Sequence, residues 1–322
     1  MEFGRTGHIE KIDFSLPPDD PMTERLWQQL PQGDASPVRL YVGGTQWGNK
    51  DWVGKVYSKD AKEKDFLPQY VRQFNCIELN TLFYHLQPKA VIEKWTALAG
   101  KDFRFCPKFS GAISHQLQLK GADQDTDLFM DQVRHFGAAL GPSFLQLSDA
   151  FGPDRAGLLQ DYLRSLPRDV LVCVELRQED WFKGGASGRD TTVTGAAGRD
   201  PADAIAATWE VMRQCGIGTV ITDAAGRRDV VHMRLTAPVA FIRFAGNSLH
   251  PTDFQRIDAW ADRIRTWIGR GLREIYFFVH NPDERYAPEL IRHAVEKFNA
   301  TCGTALKPPK LLQPPPTNLS LF

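Results

Sequence analysis

Two short strand-like segments each carry a glutamate among apolar residues, and they are the first places where chemistry could be done. The segment CIELN alternates so that Glu78 and Asn80 share one face. The segment CVELR repeats this arrangement, with Glu175 and Arg177 on a common face. A carboxylate inside a buried strand is costly unless it is paired or used. The two segments therefore predict one polar centre, with both glutamates as candidate acid and base groups.

Polar side chains also follow the other predicted strands. They are Thr45 and Trp47 after strand one, Lys108 after strand three, Gln146 at strand four, Asp223 after strand six, Arg243 in strand seven, and His280 and Asn281 after strand eight. With the two glutamates and Arg177, the set holds three carboxylates and three cations. A balanced set suits a polar or singly charged ligand, or acids and bases used in proton transfer. A purely internal ion-pair network is the structural alternative.

One histidine and several aromatic residues lie near the same predicted strand ends. His115 follows strand three in the loop SGAISHQ. A lone loop histidine is more often a surface or capping residue, but its place makes it a candidate acid or base near neutral pH. Trp47, Tyr84 and Trp181 follow strands one, two and five. They either cap the fold or provide flat walls for a sugar ring or a base.

Eight predicted strands alternate with helices and must position these groups. The strands are 38–42, 75–80, 103–108, 143–147, 170–177, 219–222, 239–244 and 274–279. This alternation predicts an α/β fold, a closed parallel (β/α)8 TIM barrel whose carboxyl strand ends form one mouth. An open doubly wound sheet is the competing fold. It would carry a glycine-rich phosphate turn after its first strand, and GGTQW does not match that pattern.

The chain divides into a barrel domain and three additional segments. Residues 1–37 are an N-terminal extension with a short helix at 23–30, for which Thr23 is the expected N-cap. Residues 38–304 form the barrel. Within it, 183–200 is rich in glycine and polar residues, and we expect it to be mobile. The tail 305–322 holds five prolines and is expected to be extended.

Composition narrows the class of protein. The 322 residues are 42% hydrophobic, so a large core is expected. Lys plus Arg and Asp plus Glu balance at 39 each, which disfavours broad nucleic-acid binding without excluding a local basic cleft. The five cysteines lack metal-ligand spacing and are expected to be reduced in the cytoplasm. No signal peptide, membrane span or cofactor is expected.

Several segments together resemble one known family. GGTQWGNKDWVGKVY, IELNTLFYHL, FCPKFSGAISH, VELRQEDWF and FVHN fall in the order typical of the YecE-like family, domain of unknown function 72. The resemblance covers roughly 38–300 and implies a TIM barrel, but no reaction. His280 stands where asparagine is usual. The family pattern otherwise matches Trp47, Trp52, Glu78, Asn80, Phe83, Tyr84, Lys108, His115, Gln146, Glu175, Arg177, Trp181, Asp223, Arg243 and Asn281.

The first functional hypothesis is an enzyme that acts on a polar small molecule, such as a carbohydrate or a nucleotide derivative. Glu78 and Glu175 would be acid and base, while Lys108 and Arg177 orient the substrate. A glycosidase would need carboxyl groups about 5–5.5 Å or about 6.5–9.5 Å apart. Burial of both against arginine without a cleft would exclude that version. From the sequence alone, Glu175→Gln is expected to leave the fold intact and to disturb ligand binding or activity.

Two alternatives remain. A metal-assisted phosphodiester hydrolase could use four residues whose side chains are of types found in barrel metal sites: Glu78, His115, Glu175 and Asp223. The absence of HxH or HExxH spacing and the three nearby cations oppose it, so no metal is predicted. A non-catalytic protein could instead bind a phosphate or nucleic-acid ligand through the mouth's cations: Lys108, Arg177 and Arg243.

Overall fold

The centre of the molecule is a ring of eight parallel strands. The computed structural model describes residues 4, 6–31, 33, 36–183 and 201–312. Most of the predicted segment 183–200 and the end of the tail therefore lie outside the described residues. The strands are β1 (Arg39–Gly44), β2 (Cys76–Leu79), β3 (Arg104–Pro107), β4 (Ser143–Gln146), β5 (Val172–Glu175), β6 (Gly218–Asp223), β7 (Ala240–Ala245) and β8 (Glu274–His280).

Helices connect the strands and surround them. They are α1 (Pro21–Gln29), α2 (Glu63–Gln73), α3 (Thr81–Tyr84), α4 (Lys89–Ala99), α5 (Asp123–Arg134), α6 (Ala156–Ser165), α7 (Pro201–Gln214), α8 (Pro251–Gly269) and α9 (Ala287–Cys302). None of the described helices is long and apolar enough to cross a membrane.

The start of α1 differs from the sequence prediction. Asp20, not Thr23, caps the helix, because its carboxylate accepts a hydrogen bond of 2.8 Å from the backbone N–H of Met22. Pro21 then occupies the first helical position, where its fixed φ and missing N–H suit the helix. Thr23 is buried instead, and its hydroxyl donates to the carbonyl of Met233 at 2.9 Å. The residue expected to start the helix therefore anchors it to the barrel.

The barrel closes between β3 and β4. The strand order is β3-β2-β1-β8-β7-β6-β5-β4. Parallel bridges join Phe105 to Leu140 and Lys108 to Phe144 across the remaining gap. The backbone N–H of Phe109 donates to the carbonyl of Phe144 at 2.9 Å. The arrangement confirms the predicted (β/α)8 barrel, whose active sites lie at the carboxyl strand ends.

The interior and the helix layer are separated by strand alternation. The lower interior is filled by side chains that include Tyr41 and Tyr276, which stack with ring centroids 4.7 Å apart, and three cysteines, Cys76, Cys106 and Cys173. The apolar residues that alternate with the two glutamates belong to the core between strands and helices, as predicted. They are Ile77 and Leu79 on β2, Val174 on β5, and Leu176 directly after β5. Because side chains fill the interior, a ligand can enter the barrel only at its mouth.

The N-terminal segment packs against the β6 side of that mouth. The N–H of Gly226, in the loop after β6, donates to the carbonyl of Gly4 at 2.7 Å. The ring of Phe14 lies beneath two guanidinium groups, 5.3 Å from that of Arg228 and 4.9 Å from that of Arg256. The segment therefore covers one sector of the barrel end rather than extending away from it.

Candidate ligand site at the mouth of the barrel

Arg243 on β7 joins the two glutamates that the sequence singled out. Its Nε and Nη2 donate to the two carboxylate oxygens of Glu78, at 2.8 and 3.0 Å. Its Nη1 donates to Oε2 of Glu175 at 2.7 Å. All three side chains are at most 3% exposed. Strands β2, β5 and β7 thus contribute to one buried ion network, as the alternation predicted.

Each carboxylate has further donors. Glu175 accepts from Gln146 at 2.6 Å and from Arg177 and Thr222 at 2.9 Å each. Glu78 accepts from Asn80 at 3.1 Å, and Nε2 of His280 lies 2.9 Å from its Oε2. The carboxylate oxygens are therefore occupied as acceptors on both residues.

These partners decide the protonation of both carboxyl groups. Burial alone raises the pKa of Glu78, but Arg243 and His280 overcome it and hold the pKa well below its usual range. Burial also raises the pKa of Glu175, and Arg177 and Arg243 bring it down to about 2. A general acid needs a pKa near the working pH. Two ionised carboxylates buried against arginine argue against the expected acid/base pair and against the glycosidase version.

Asp223 does not line the mouth, and that prediction was wrong. Its carboxylate is fully buried in the layer between strands and helices. It accepts from Nε1 of Trp260 and Nη2 of Arg256 on α8, both at 2.8 Å, and from Arg228. The inward face of β6 carries Thr222 instead, one residue earlier. Because neighbouring residues point to opposite faces, this one-residue error moves the charge to the other side of the strand.

Lys108 lies at the rim, where it is half-buried. Its Nζ donates to the amide oxygen of Gln146 at 2.7 Å and lies 4.1 Å from the centroid of the Phe83 ring. His115 meets the same ring edge-on at 5.1 Å. Burial and the nearby Arg243 lower the pKa of Lys108 to about 8. Burial and Lys108 also lower the pKa of His115, so its imidazole is neutral near pH 7.

The predicted aromatic walls are only partly present. Trp181 is 1% exposed, and its indole N–H donates to the carbonyl of Phe151 at 2.8 Å, so it packs beneath a loop and offers no face to a ligand. Tyr84 is 71% exposed beside Phe83. Trp47 is half-buried and packs edge-on against Trp95 at 5.3 Å. Phe83 is thus the ring that contacts Lys108 and His115 at the rim.

Glu284, in the loop after β8, was missed by sequence reasoning. Its Oε1 accepts from the N–H of Asn281 at 3.3 Å and from the hydroxyl of Thr45 at 3.4 Å. Burial raises the pKa of Glu284 to about 7. Its Oε2 and the Nδ2 of Asn281 are buried and have no hydrogen-bond partner among the described residues. Each such group costs about 1–3 kcal/mol when it stays unpaired.

The expected metal-ligand set is not brought together. Asp223 lies outside the mouth, and the oxygens of Glu78 and Glu175 are occupied by donors. Within the described parts of the chain, no group of three or more His, Cys, Asp or Glu side chains could hold a metal ion. The geometry therefore does not favour a metal-assisted hydrolase.

Known proteins match both the sequence and the fold. The family described as "Protein of unknown function DUF72" matches residues 41–314. The chain belongs to the DUF72 family. YecE of Escherichia coli K12 is 30% identical over 264 residues, which cover 81% of this chain and 93% of YecE. YecE of E. coli O157:H7 matches over the same shares at 30% identity.

Solved DUF72 structures share the architecture. One from Enterococcus faecalis V583 is 17% identical with a TM-score of 0.63 and covers 86% of this chain and 98% of its own. One from Thermotoga maritima MSB8 is 21% identical with a TM-score of 0.57 and covers 82% and 99%. At these identities the likeness shows the fold alone. The function of this DUF72 protein must therefore be inferred from the residues at the mouth of its own barrel.

The buried network predicts how this DUF72 protein responds to acid. The folded pKa of Glu175, about 2, lies below its ordinary value of 4.5, so the unfolded chain binds protons first as the pH falls. The ionised Glu175 therefore contributes about 3 kcal/mol to the free energy of unfolding. This contribution is fully present above pH 5 and is lost progressively towards pH 2. Urea unfolding at stepped pH values measures the loss. A free energy of unfolding unchanged between pH 6 and pH 3 would contradict it.

Proposed function

We propose that this protein binds a small anionic molecule at the mouth of its barrel, with Lys108 and Arg177 as the groups that recognise its charge. The buried network supports this. With Asp223 outside the mouth, two carboxylates remain beside three cations. His280 is neutral near pH 7, because burial lowers its pKa. The Glu284 carboxyl of the same mouth is protonated below its pKa of about 7, so in mildly acidic solution the mouth carries one excess positive charge.

The placement of Lys108 is the observation that carries the proposal. Its Nζ donates to the neutral amide of Gln146, whereas Arg243 donates to two carboxylates. A half-buried ammonium that is held by an amide has donors left for an anion. Since the pKa of Lys108 is about 8, its ammonium group is protonated in most of the molecules at pH 7. A carboxylate or a phosphate beside the Phe83 ring would neutralise the Lys108 ammonium and accept its remaining hydrogen bonds.

A catalytic role for the two glutamates has less support, because both are ionised and fully engaged. Nucleic-acid binding also has less support. One excess charge in the mouth of a chain with no net charge gives little attraction for a polyanion. The class of ligand that fits best is a small molecule with one or two negative charges.

Replacing Lys108 with methionine is expected to weaken anion binding about 10- to 100-fold, because one charge-assisted hydrogen bond is lost. Isothermal titration with inorganic phosphate, small carboxylates and phosphate monoesters measures the change. Binding by the unmodified protein should fall as the pH rises through about 8, where the ammonium loses its proton.

Lys101→Met is the matched control. Lys101 is exposed and precedes β3, so it stands at the opposite end of the strand that leads to Lys108. Its replacement should leave anion affinity unchanged. Equal affinities for the two variants, or no anion binding by the unmodified protein, would overturn the proposed function.

A further inference from the structure

We infer that Thr45, Asn281 and Glu284 form a second subsite of the same mouth, one that takes a hydroxyl group of the ligand. The inference rests on the proposed anion site and narrows its ligand to a hydroxylated anion, such as a polyhydroxy acid or a sugar phosphate. Lys108 and Arg177 would hold the acidic group, and the new subsite would hold the hydroxyl-bearing part.

The hydrogen bonds of Asn281 and Glu284 carry the inference. Asn281 is 2% exposed, and its Oδ1 accepts from the N–H of Ser248 at 3.1 Å. Its Nδ2 donates to no described residue, and the Oε2 of Glu284 accepts from none. The two residues are in contact through the N–H of Asn281 and the Oε1 of Glu284. A buried donor and a buried acceptor on two residues that are in contact complement a hydroxyl, which accepts one hydrogen bond and donates another.

The strands place this subsite inside the mouth. Thr45 directly follows the carboxyl end of β1, and its hydroxyl donates to Oε1 of Glu284 at 3.4 Å, so both residues stand at the mouth end of the barrel. Asn281 directly follows His280, whose ring contacts Glu78. In the strand order β1 lies two places from β3, the strand that leads to Lys108. Two strand spacings amount to roughly 10 Å, a span suited to a six-carbon ligand with its hydrogen bonds.

Glu284 also gives the subsite a pH dependence. Its carboxyl faces Glu78 on β2 and Tyr70 on α2. The neutral His280 ends β8, and the Asp283–Arg285 pair shares the loop after that strand with Glu284. Lys55 beside this loop is paired with Glu289. Burial, with a smaller contribution from Glu78, raises the pKa of Glu284 to about 7. Above that pH the carboxylate repels an anion, so affinity should fall as the pH rises from 6 to 8.

The test is isothermal titration with matched probes. D-gluconate is compared with hexanoate, and D-glucose 6-phosphate with methyl phosphate, which separates the carboxylate and phosphate sources of the charge. We expect the hydroxylated member of at least one pair to bind about tenfold more tightly. In Asn281→Leu this preference should drop below about threefold. In Glu284→Gln the fall in affinity between pH 6 and about pH 7.5 should disappear, because the amide does not titrate.

Glu296→Gln is the matched control, since it removes a carboxylate from the solvent-exposed face of nearby α9, where Glu296 pairs with Arg292. It should keep the unmodified pH profile. Binding of the plain probes by Glu284→Gln and Asn281→Leu verifies that both variants are folded. If the plain anions bind but the hydroxylated probes gain nothing, or Glu284→Gln keeps the unmodified profile, the subsite is refuted while the anion site stands. If no anion binds, both inferences fail.

Discussion

Arg243→Met is expected to destabilise the fold by about 3–5 kcal/mol, because it leaves buried carboxylates without their shared partner. Arg243 is 3% exposed and makes three hydrogen bonds of 2.7 to 3.0 Å to Glu78 and Glu175. Methionine fills much of the same volume, so the loss reports on charge more than on packing. Urea unfolding followed by circular dichroism measures the free energy of unfolding at pH 7.

A surface arginine gives the control for this experiment. Arg164 pairs with Asp161 on α6, with side chains 52% and 82% exposed. Arg164→Met should change stability by no more than about 1 kcal/mol. The two variants should also differ in pH dependence. Without Arg243, burial would raise the pKa of Glu78 above its unfolded value, so the variant should gain stability as the pH falls from 7 to 5. Equal losses at pH 7 would contradict the buried network.

Asp223→Asn is expected to cost about 2–4 kcal/mol of stability while leaving anion affinity within about twofold of the unmodified protein. The carboxylate neutralises Arg256, which is 1% exposed, and accepts from Trp260 and Arg228. An amide keeps the shape but removes the charge and offers an N–H where those partners also donate. Thermal and urea unfolding give the stability, and phosphate titration of the folded variant gives the affinity.

Asp262→Asn is the companion variant, because Asp262 lies on the same helix as Arg256 and pairs with Arg265 in solvent, with side chains 65% and 62% exposed. It should be nearly neutral in both measurements. A tenfold or greater loss of anion affinity in folded Asp223→Asn, with stability unchanged, would return Asp223 to the mouth.

The contrast between β2 and β6 shows how far sequence alternation could predict the site. On β2, Glu78 stands between the apolar residues Ile77 and Leu79, so the sequence itself shows which residues share a face of the strand. On β6 the segment GTVITD is buried at every position. Strands of parallel barrels are covered on both faces, so such a run carries no sign of which residues face inward. The prediction for Asp223 failed because two polar neighbours, Thr222 and Asp223, were equally compatible with the mouth.

Other parts of the site depend on contacts that no local pattern contains. Arg243 bonds to residues 165 and 68 positions away in the chain. Glu284 reaches the mouth through the course of a loop, and the only sequence signal was a glutamate three residues after Asn281. Trp181 follows β5 as predicted, but beyond the strand end alternation no longer fixes where a side chain points, and the indole is buried under Phe151. The contacts of Glu175 also change the expected effect of Glu175→Gln. Because the carboxylate belongs to a buried ion network, its replacement is expected to lower stability as well as binding.

The three interior cysteines make the barrel a reporter of its own opening. Cys76, Cys106 and Cys173 are fully buried, and burial raises the pKa of each thiol. A thiol reagent attacks thiolates that solvent can reach, so these three stay silent while the strands remain paired. Cys215 and Cys302 at the periphery are only half-buried and therefore easier for the reagent to reach, and burial raises the pKa of the Cys302 thiol to about 11. The order in which the five thiols are alkylated in native buffer therefore separates fraying at the edge from parting of the strands, without any introduced label.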